Sequence, residues 1–352
     1  MNASPEPRHH RAFARSLALA FTLCAGLVFG INVAVDPLWF FAGNQLTGKN
    51  FGFDERNAKL NQLLRASEKY DCVIFGSSRA TWMPEDALAP LRCFNLAFSA
   101  GQAEEFVAFA RYLRQRGFRP RHIVVGVDGF NFETEGRDPV SIPQHVAEQG
   151  DPPSPLPTYL SVDSLKMSWR TLANLMNSPG YYDRTFRKVV SDRAPTFQPD
   201  KSLAAEGLQR TDAATRDKTT FDTRNAVLYK ALLDVFPEAT AIGYVPPISA
   251  WHIAELDKRG TLPKYLDALF ATAQYFPTFF DFSAPSPITM RTDTTYDGSH
   301  YLPEFNRSIG AALIAGTTRE WGIDVKTLDR AAYGDRYREA LAGFRATRLA
   351  RH

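Results

Sequence analysis

Twenty consecutive residues without a charge, Ser16 to Val35 (SLALAFTLCAGLVFGINVAV), constrain this chain more than anything else in it. Coiled as a helix, such a run is about 30 Å long, the thickness of the hydrocarbon core of a bilayer. Arg8, Arg11 and Arg15 precede it and Asp36 follows it. Basic residues keep their end of a span in the cytoplasm. Residues 1–15 therefore read as a cytoplasmic tail and 16–36 as one transmembrane anchor, with the bulk of the chain on the far side. Trp39, Phe40 and Phe41 are expected at the far interface. The alternatives are a cleaved signal peptide and a buried core helix. No small-x-small cleavage site stands near Val35, and Cys24 follows Phe-Thr-Leu, a poor lipoprotein signal.

Beyond the anchor the pattern alternates. A helix is expected over Phe53–Tyr70, with Leu60, Leu63 and Leu64 on one face. Strands follow at Cys72–Gly76 and Phe94–Phe98, a helix at Ala103–Gly117 and a strand at His122–Asp128. Unbroken apolar runs of this length suit strands covered on both faces. The rhythm returns with helices over Asp222–Phe236 and Leu262–Tyr275, strands over Ala239–Val245 and Thr278–Phe282, and a helix from Pro303 to about Trp321. This spells an α/β domain over 43–330, three layers of helix, sheet and helix around a central parallel sheet. Residues 133–221 interrupt it. Six prolines between Pro139 and Pro157 argue for irregular chain there, and a helix over Asp163–Asn177, capped by Asp163, resumes beyond. Ser191–Thr220 is polar and shows no period. Long insertions in compact domains are often lids or recognition surfaces. Residues 331–352 read as a basic helix or tail.

Four strand-ending turns carry polar chemistry: GSSR at Gly76–Arg79, FNLAFSAGQ at Phe94–Gln102, GVDGFN at Gly126–Asn131 and DGSH at Asp297–His300. Ligands of open α/β sheets bind at the carboxyl ends of strands. Each turn alone has a structural reading. Serine after a strand caps a helix, Asn95 satisfies a turn, and Arg79 forms an ion pair at a helix start. Among the seven histidines, His300 is the one with an Asp three residues before it. Cys72 and Cys93 open two strands, and if these are parallel neighbours the sulfurs lie within bridging range. In an oxidising compartment they pair, and closing that loop is worth about 3 kcal/mol; otherwise they are two buried thiols.

Taken together, VIFGSSR and DGSHY resemble the SGNH (GDSL-type) hydrolase superfamily. The similarity is to a membrane-anchored bacterial branch that includes the D-alanyl-transfer proteins of teichoic acid modification and the acetylation proteins of alginate export. It covers Asn57 to about Gly310 without the insertion. It implies a flavodoxin-like fold, an inner-membrane anchor with the domain in the periplasm, and acyl-ester hydrolysis or O-acyl transfer on a cell-envelope polysaccharide. Ser78 corresponds to the nucleophile, His300 to its base and Asp297 to the residue that orients the base. Gly101 corresponds to the glycine whose N–H helps to hold an oxyanion. Elementary chemistry agrees: a hydroxyl needs an imidazole to take its proton, and an Asp three residues upstream can reach that imidazole.

One block departs. Where the family carries Gly-x-Asn-Asp, this chain has Gly126-Val127-Asp128-Gly129, with Asn131 beyond as a substitute. An acidic Asp128 would repel an oxyanion unless turned away. Arg79, next to the nucleophile, would offer a fork to a carboxylate or phosphate of a polymer. Trp251 and His252, after Pro246-Pro247, stand where they would line a cleft. The missing asparagine keeps open a non-catalytic partner of a multi-pass membrane acyltransferase or export complex. A lectin-like binder comes last, since the 26 phenylalanines suit a core. A net charge of +3 with no basic run argues against nucleic acid. No H-E-x-x-H, C-x-x-C or Walker loop implies a metal or a nucleotide cofactor, and none is expected.

Overall fold

The computed structural model describes residues 6–134, 138–176, 178–201 and 221–349. The first five residues of the expected tail, nearly all of the polar stretch after Lys201 and the last three residues lie outside these. Helix α1 (Glu6–Val35) is unbroken, and His10–Val35 is long and apolar enough to cross a membrane. Its last turns join the body of the protein, ahead of the expected boundary at Gly43. The Asp36 carboxylate accepts the N–H groups of Phe41 and Gly43, and Asn50 donates to the Asp36 carbonyl. Trp39 is therefore not an interface anchor. A left-handed backbone (φ 56°) turns it inward, where its ring lies 4.2 Å from that of Phe186 and is buried.

Helix α2 (Glu55–Arg65) starts on the Asp54 carboxylate, which accepts from the Asn57 N–H, and buries Leu60 and Leu63. Then come β1 (Cys72–Phe75), β2 (Cys93–Asn95), helix α3 (Ala103–Gln115) and β3 (His122–Gly126). Gly117, at φ +87°, ends α3 in a conformation that suits glycine. The middle of the chain contains α4 (Gln144–Ala147), α5 (Pro155–Tyr159), α6 (Val162–Leu172) and a hairpin of β4 (Gly180–Tyr182) and β5 (Lys188–Val190). Its ends meet: Glu133 bridges Phe221, and the Asp222 N–H bonds the Phe132 carbonyl at 2.6 Å. The proline-rich part thus holds two short helices, since proline is tolerated in a first turn. Ser161 caps α6, not Asp163: its hydroxyl accepts the Ser164 N–H.

The chain resumes with α7 (Ala226–Val235), β6 (Thr240–Val245), α8 (Ala250–Lys258), α9 (Leu262–Ala273), β7 (Thr278–Asp281), α10 (Pro303–Ala315), β8 (Ile323–Asp324) and α11 (Arg330–Leu349). The main sheet runs β2-β1-β3-β6-β7-β8, parallel throughout except for the short edge strand β8. Both faces are covered, so alternate residues serve different cores. Val73, Phe75, Ile123 and Val125 meet α2, α3, α7 and α9. Ile74, Val124 and Tyr244 meet Met83, Leu88, Ile309 and Leu313 on the other side. Cys72 and Cys93 are register partners in β1 and β2 and form a disulfide. β1 sits where the strand order reverses, between β2 and β3. In such a sheet the crevice outside the carboxyl ends at that point is where ligands bind.

Candidate active site

Ser78 stands just past β1, in that crevice. The turn closes tightly: a Cβ on Gly76 would lie 2.6 Å from the Ala80 methyl, so only glycine fits. Ser77 is buried and structural, its Oγ accepting the Arg79 N–H at 3.3 Å and its carbonyl the Ala80 N–H at 3.0 Å. Thr81 Oγ1 donates to the Ser78 carbonyl at 2.6 Å, and Lys188 of β5 in turn donates to Thr81 at 2.9 Å. The hairpin thus braces the serine turn. Beneath it Glu55 joins Lys188 and Lys59. Burial alone would raise the Glu55 carboxyl, but the charges of Lys188 and Lys59, with hydrogen bonds from the Ser99 N–H and the Tyr182 hydroxyl, outweigh it and bring it to about 2.

His300 arrives from the loop between β7 and α10. Asp297 Oδ1 accepts the N–H groups of Ser299 and His300 at 2.9 and 2.8 Å, which folds the loop around its own carboxylate. Gly298 turns at φ +89°, and its carbonyl accepts the Ser249 N–H at 2.8 Å. Thr295 holds the His300 carbonyl at 2.7 Å, and the Tyr296 ring stacks parallel to the imidazole with centroids 5.4 Å apart. So held, His300 Nδ1 lies 2.6 Å from Asp297 Oδ2 and Nε2 lies 2.8 Å from Ser78 Oγ. Burial pushes the Asp297 carboxyl up, but the bond to His300, its charge and the two backbone N–H groups outweigh it and hold the carboxyl below its ordinary 3.8. Ser78 and His300 are half-buried, within reach of solvent.

Of the residues expected around an oxyanion, Gly101 and Asn95 spend their polar groups inside the fold. The Gly101 N–H bonds the Phe98 carbonyl at 3.1 Å and does not face Ser78. Glycine is needed at 101 for space: a Cβ there would meet the Gly76 carbonyl at 2.7 Å. Asn95 is not a ligand-binding residue either. Its Nδ2 donates to the Ala80 and Met83 carbonyls and its Oδ1 accepts the Ala97 N–H, so every polar atom is spent inside the fold. Asn131 Oδ1 accepts the Ala103 N–H at 2.9 Å, while its Nδ2 is buried without an acceptor. Among the described residues no acceptor bonds the Ser78 N–H. Asp128 is buried, and Arg79 Nη1 meets its Oδ1 at 3.1 Å. The ion-pair reading of Arg79 therefore holds, and its charge answers the buried carboxylate of Asp128.

Beside Arg79 a cavity of about 150 Å³ is lined by Phe130, Ile248, His252, Leu256 and Tyr265. His252 thus lines a cavity next to the serine turn; Trp251 packs instead between Phe197 and Phe344. Thr81, Lys188 and Tyr296 support the site without having been expected. Tyr296 directly precedes Asp297 in the chain, a signal that was readable; Lys188 sits in an insertion with no local mark of its place. The chain matches no model of a known protein family, and a search of curated proteins finds no match.

Proposed function

We propose that this chain is an SGNH-type serine acyl-ester hydrolase or O-acyltransferase, held at a bacterial inner membrane by α1 and working on the periplasmic face. The observation that carries the reading is the relay from Ser78 Oγ to His300 Nε2 at 2.8 Å and from His300 Nδ1 to Asp297 at 2.6 Å. Two further features support it: the serine turn lies where the strand order reverses, and VIFGSSR and DGSHY resemble the motifs of that superfamily.

In this reading Ser78 Oγ attacks an ester carbonyl carbon as His300 Nε2 takes the hydroxyl proton. Asp297 holds the Nδ1–H tautomer and stabilises the imidazolium that forms. The C–O bond to the leaving alcohol breaks, His300 returns the proton to that alcohol, and an acyl-Ser78 remains. A second hydroxyl, from water or from a sugar, then attacks the acyl carbon while His300 accepts its proton; the bond from that carbon to Ser78 Oγ breaks, Oγ takes the proton from His300, and the acid or the new ester leaves. The substrate class is an acylated envelope polysaccharide or its acyl donor. A membrane tether favours transfer, because it raises the local concentration of membrane-bound donors.

A second reading is a non-catalytic accessory protein of a multi-pass membrane acyltransferase or export complex. It is favoured by the oxyanion side, where the Gly101 N–H is spent and Asp128 stands in the asparagine slot. A fluorophosphonate probe on the full chain in membranes separates the two. Labelling at Ser78, lost in Ser78→Ala, supports the enzyme; no labelling, with no acid released from acetyl esters, leaves the accessory role.

A further inference from the structure

Helix α6 is inside out for a helix on a water-exposed body. Its buried residues are Ser164, Ser168 and Thr171, one polar face at i, i+4 and i+7. Its exposed side chains include Val162 at 66% and Trp169 at 64%, joined by Leu172 and, just past its end, Leu175. Helices facing water show the reverse order, apolar inward and polar outward. The inward hydroxyls are committed. Ser168 Oγ donates to Asn32 Oδ1 of α1 at 2.7 Å, and Asn32 Nδ2 donates to the Tyr159 carbonyl at 2.8 Å. Ser164 Oγ bonds the Thr158 carbonyl at 2.8 Å. Polar pairing between helices with apolar faces turned outward is how helices pack in lipid.

The place agrees with the pattern. α6 lies along α1, and the apolar groove between them, about 470 Å³, is lined by Leu27, Ile31, Leu165, Trp169 and Leu172. Leu27 and Ile31 belong to the stretch long and apolar enough to cross a membrane. The exposed face of α6 therefore continues the lipid-facing surface of α1. Lys166 and Arg170 are the exposed basic residues of α6, with stems long enough to bring their charges to headgroups. Asp163 pairs with Lys166 at 3.4 Å.

Resting on the membrane reading of α1, we infer that α6 is a second membrane-contacting element. It lies against α1 in the leaflet on the domain's side, with Val162, Trp169, Leu172 and Leu175 in lipid. The domain then sits on the bilayer through two elements and does not swing on one helix, which fixes the direction the Ser78 crevice faces.

The test uses the full chain with Cys24→Ala and its disulfide intact, in phosphatidylcholine–phosphatidylglycerol vesicles. One environment-sensitive fluorophore is attached at Trp169→Cys, at Leu23→Cys in α1, or at Asp234→Cys on the exposed side of α7. Brominated acyl chains are expected to quench positions 169 and 23 severalfold more than 234, and aqueous iodide to quench 234 alone. Val162→Cys repeats the measurement should the substitution at 169 disturb folding. If position 23 answers to lipid bromine while 169 and 162 answer to iodide like 234, the anchor stands and this inference fails. If 23 also answers to iodide, the membrane reading of α1 fails first. If 169 escapes both quenchers until the chain is diluted with excess lipid, a second copy covers the face and lipid does not.

Discussion

Two carboxylates at the same edge of the sheet, Asp297 and Asp281, have been put to opposite uses. Asp297 sits on a half-exposed loop, takes two backbone N–H groups on one oxygen and an imidazole on the other, and stays below its ordinary value. Asp281 ends β7 under α11 with no exposure. Its Oδ2 accepts the hydroxyls of Tyr333 and Tyr337 at 2.5 Å each, and its Oδ1 accepts the N–H and the hydroxyl of Ser283 at 2.7 Å. Burial raises the Asp281 carboxyl, and these four hydrogen bonds offset burial only in part. Donor count is similar at the two sites. What separates them is a partner that can carry positive charge and an opening to solvent. The first makes a relay to Ser78; the second fastens the C-terminal helix to the sheet.

Substitutions can break this contrast. The largest effect is expected from Asp297→Asn, which keeps the loop and lets the imidazole take the wrong tautomer. Turnover of an acetyl ester should fall by roughly 10⁴-fold, with unfolding in denaturant little changed. If the variant turns over like the parent, Asp297 does not orient the base. Asp281→Ala should do the reverse. Removing the acceptor shared by three buried hydroxyl groups, of which Ser283 and Tyr337 keep each other as partners, is expected to cost about 3 kcal/mol in denaturant unfolding, with labelling of the folded protein retained.

Acid should sharpen the difference, since the two groups have opposite signs. The folded pKa of Asp297 is below 3.8, so its stabilisation is complete above that value and is lost as pH falls through the folded pKa. The folded pKa of Asp281 is above 3.8, so the folded state holds the extra proton. That contribution is present below 3.8 and is lost as pH rises through the folded pKa. Unfolding free energy followed from about pH 2 to pH 7 should show a shallower acid-side fall in Asp297→Asn and a steeper rise with pH in Asp281→Asn. Parallel curves for both variants would refute the assignment. The smallest expected effect is from Tyr296→Ala, which removes the ring stacked on His300. About 1 kcal/mol, or roughly fivefold in kcat, should be lost, with substrate affinity unmoved.

How far these features could be read from the chain depended on the range of the interactions behind them. β1 and β3 were legible because strands covered on both faces are unbroken apolar runs. The β4–β5 hairpin was not, since two strands of three residues carry no period. β8 was missed for the same reason. An aromatic residue after an apolar helix can serve lipid or core, and Trp39 serves the core because the turn at Asp36 and Trp39, both left-handed, redirects the chain. Gly101 stands in a motif that points to an oxyanion, yet its N–H is used locally and the constraint on it is the space beside the Gly76 carbonyl, which no local pattern reveals. Asn95 sits in a strand-ending turn, yet nothing within the turn reveals that Ala80 and Met83 consume its amide.

What the sequence determined by itself is local. It placed Ser78 at a strand end, set Asp297 within reach of the His300 ring, and made α1 long and apolar enough to cross a bilayer. Each of these rests on neighbours within a turn or on a periodicity. Only the tertiary structure decided that Ser78 meets His300 across 222 residues, that Arg79 belongs to Asp128, and that α6 turns its hydroxyls toward Asn32 and its tryptophan outward. Such contacts depend on sheet register and on the path of long loops, which are settled by the packing of the whole body.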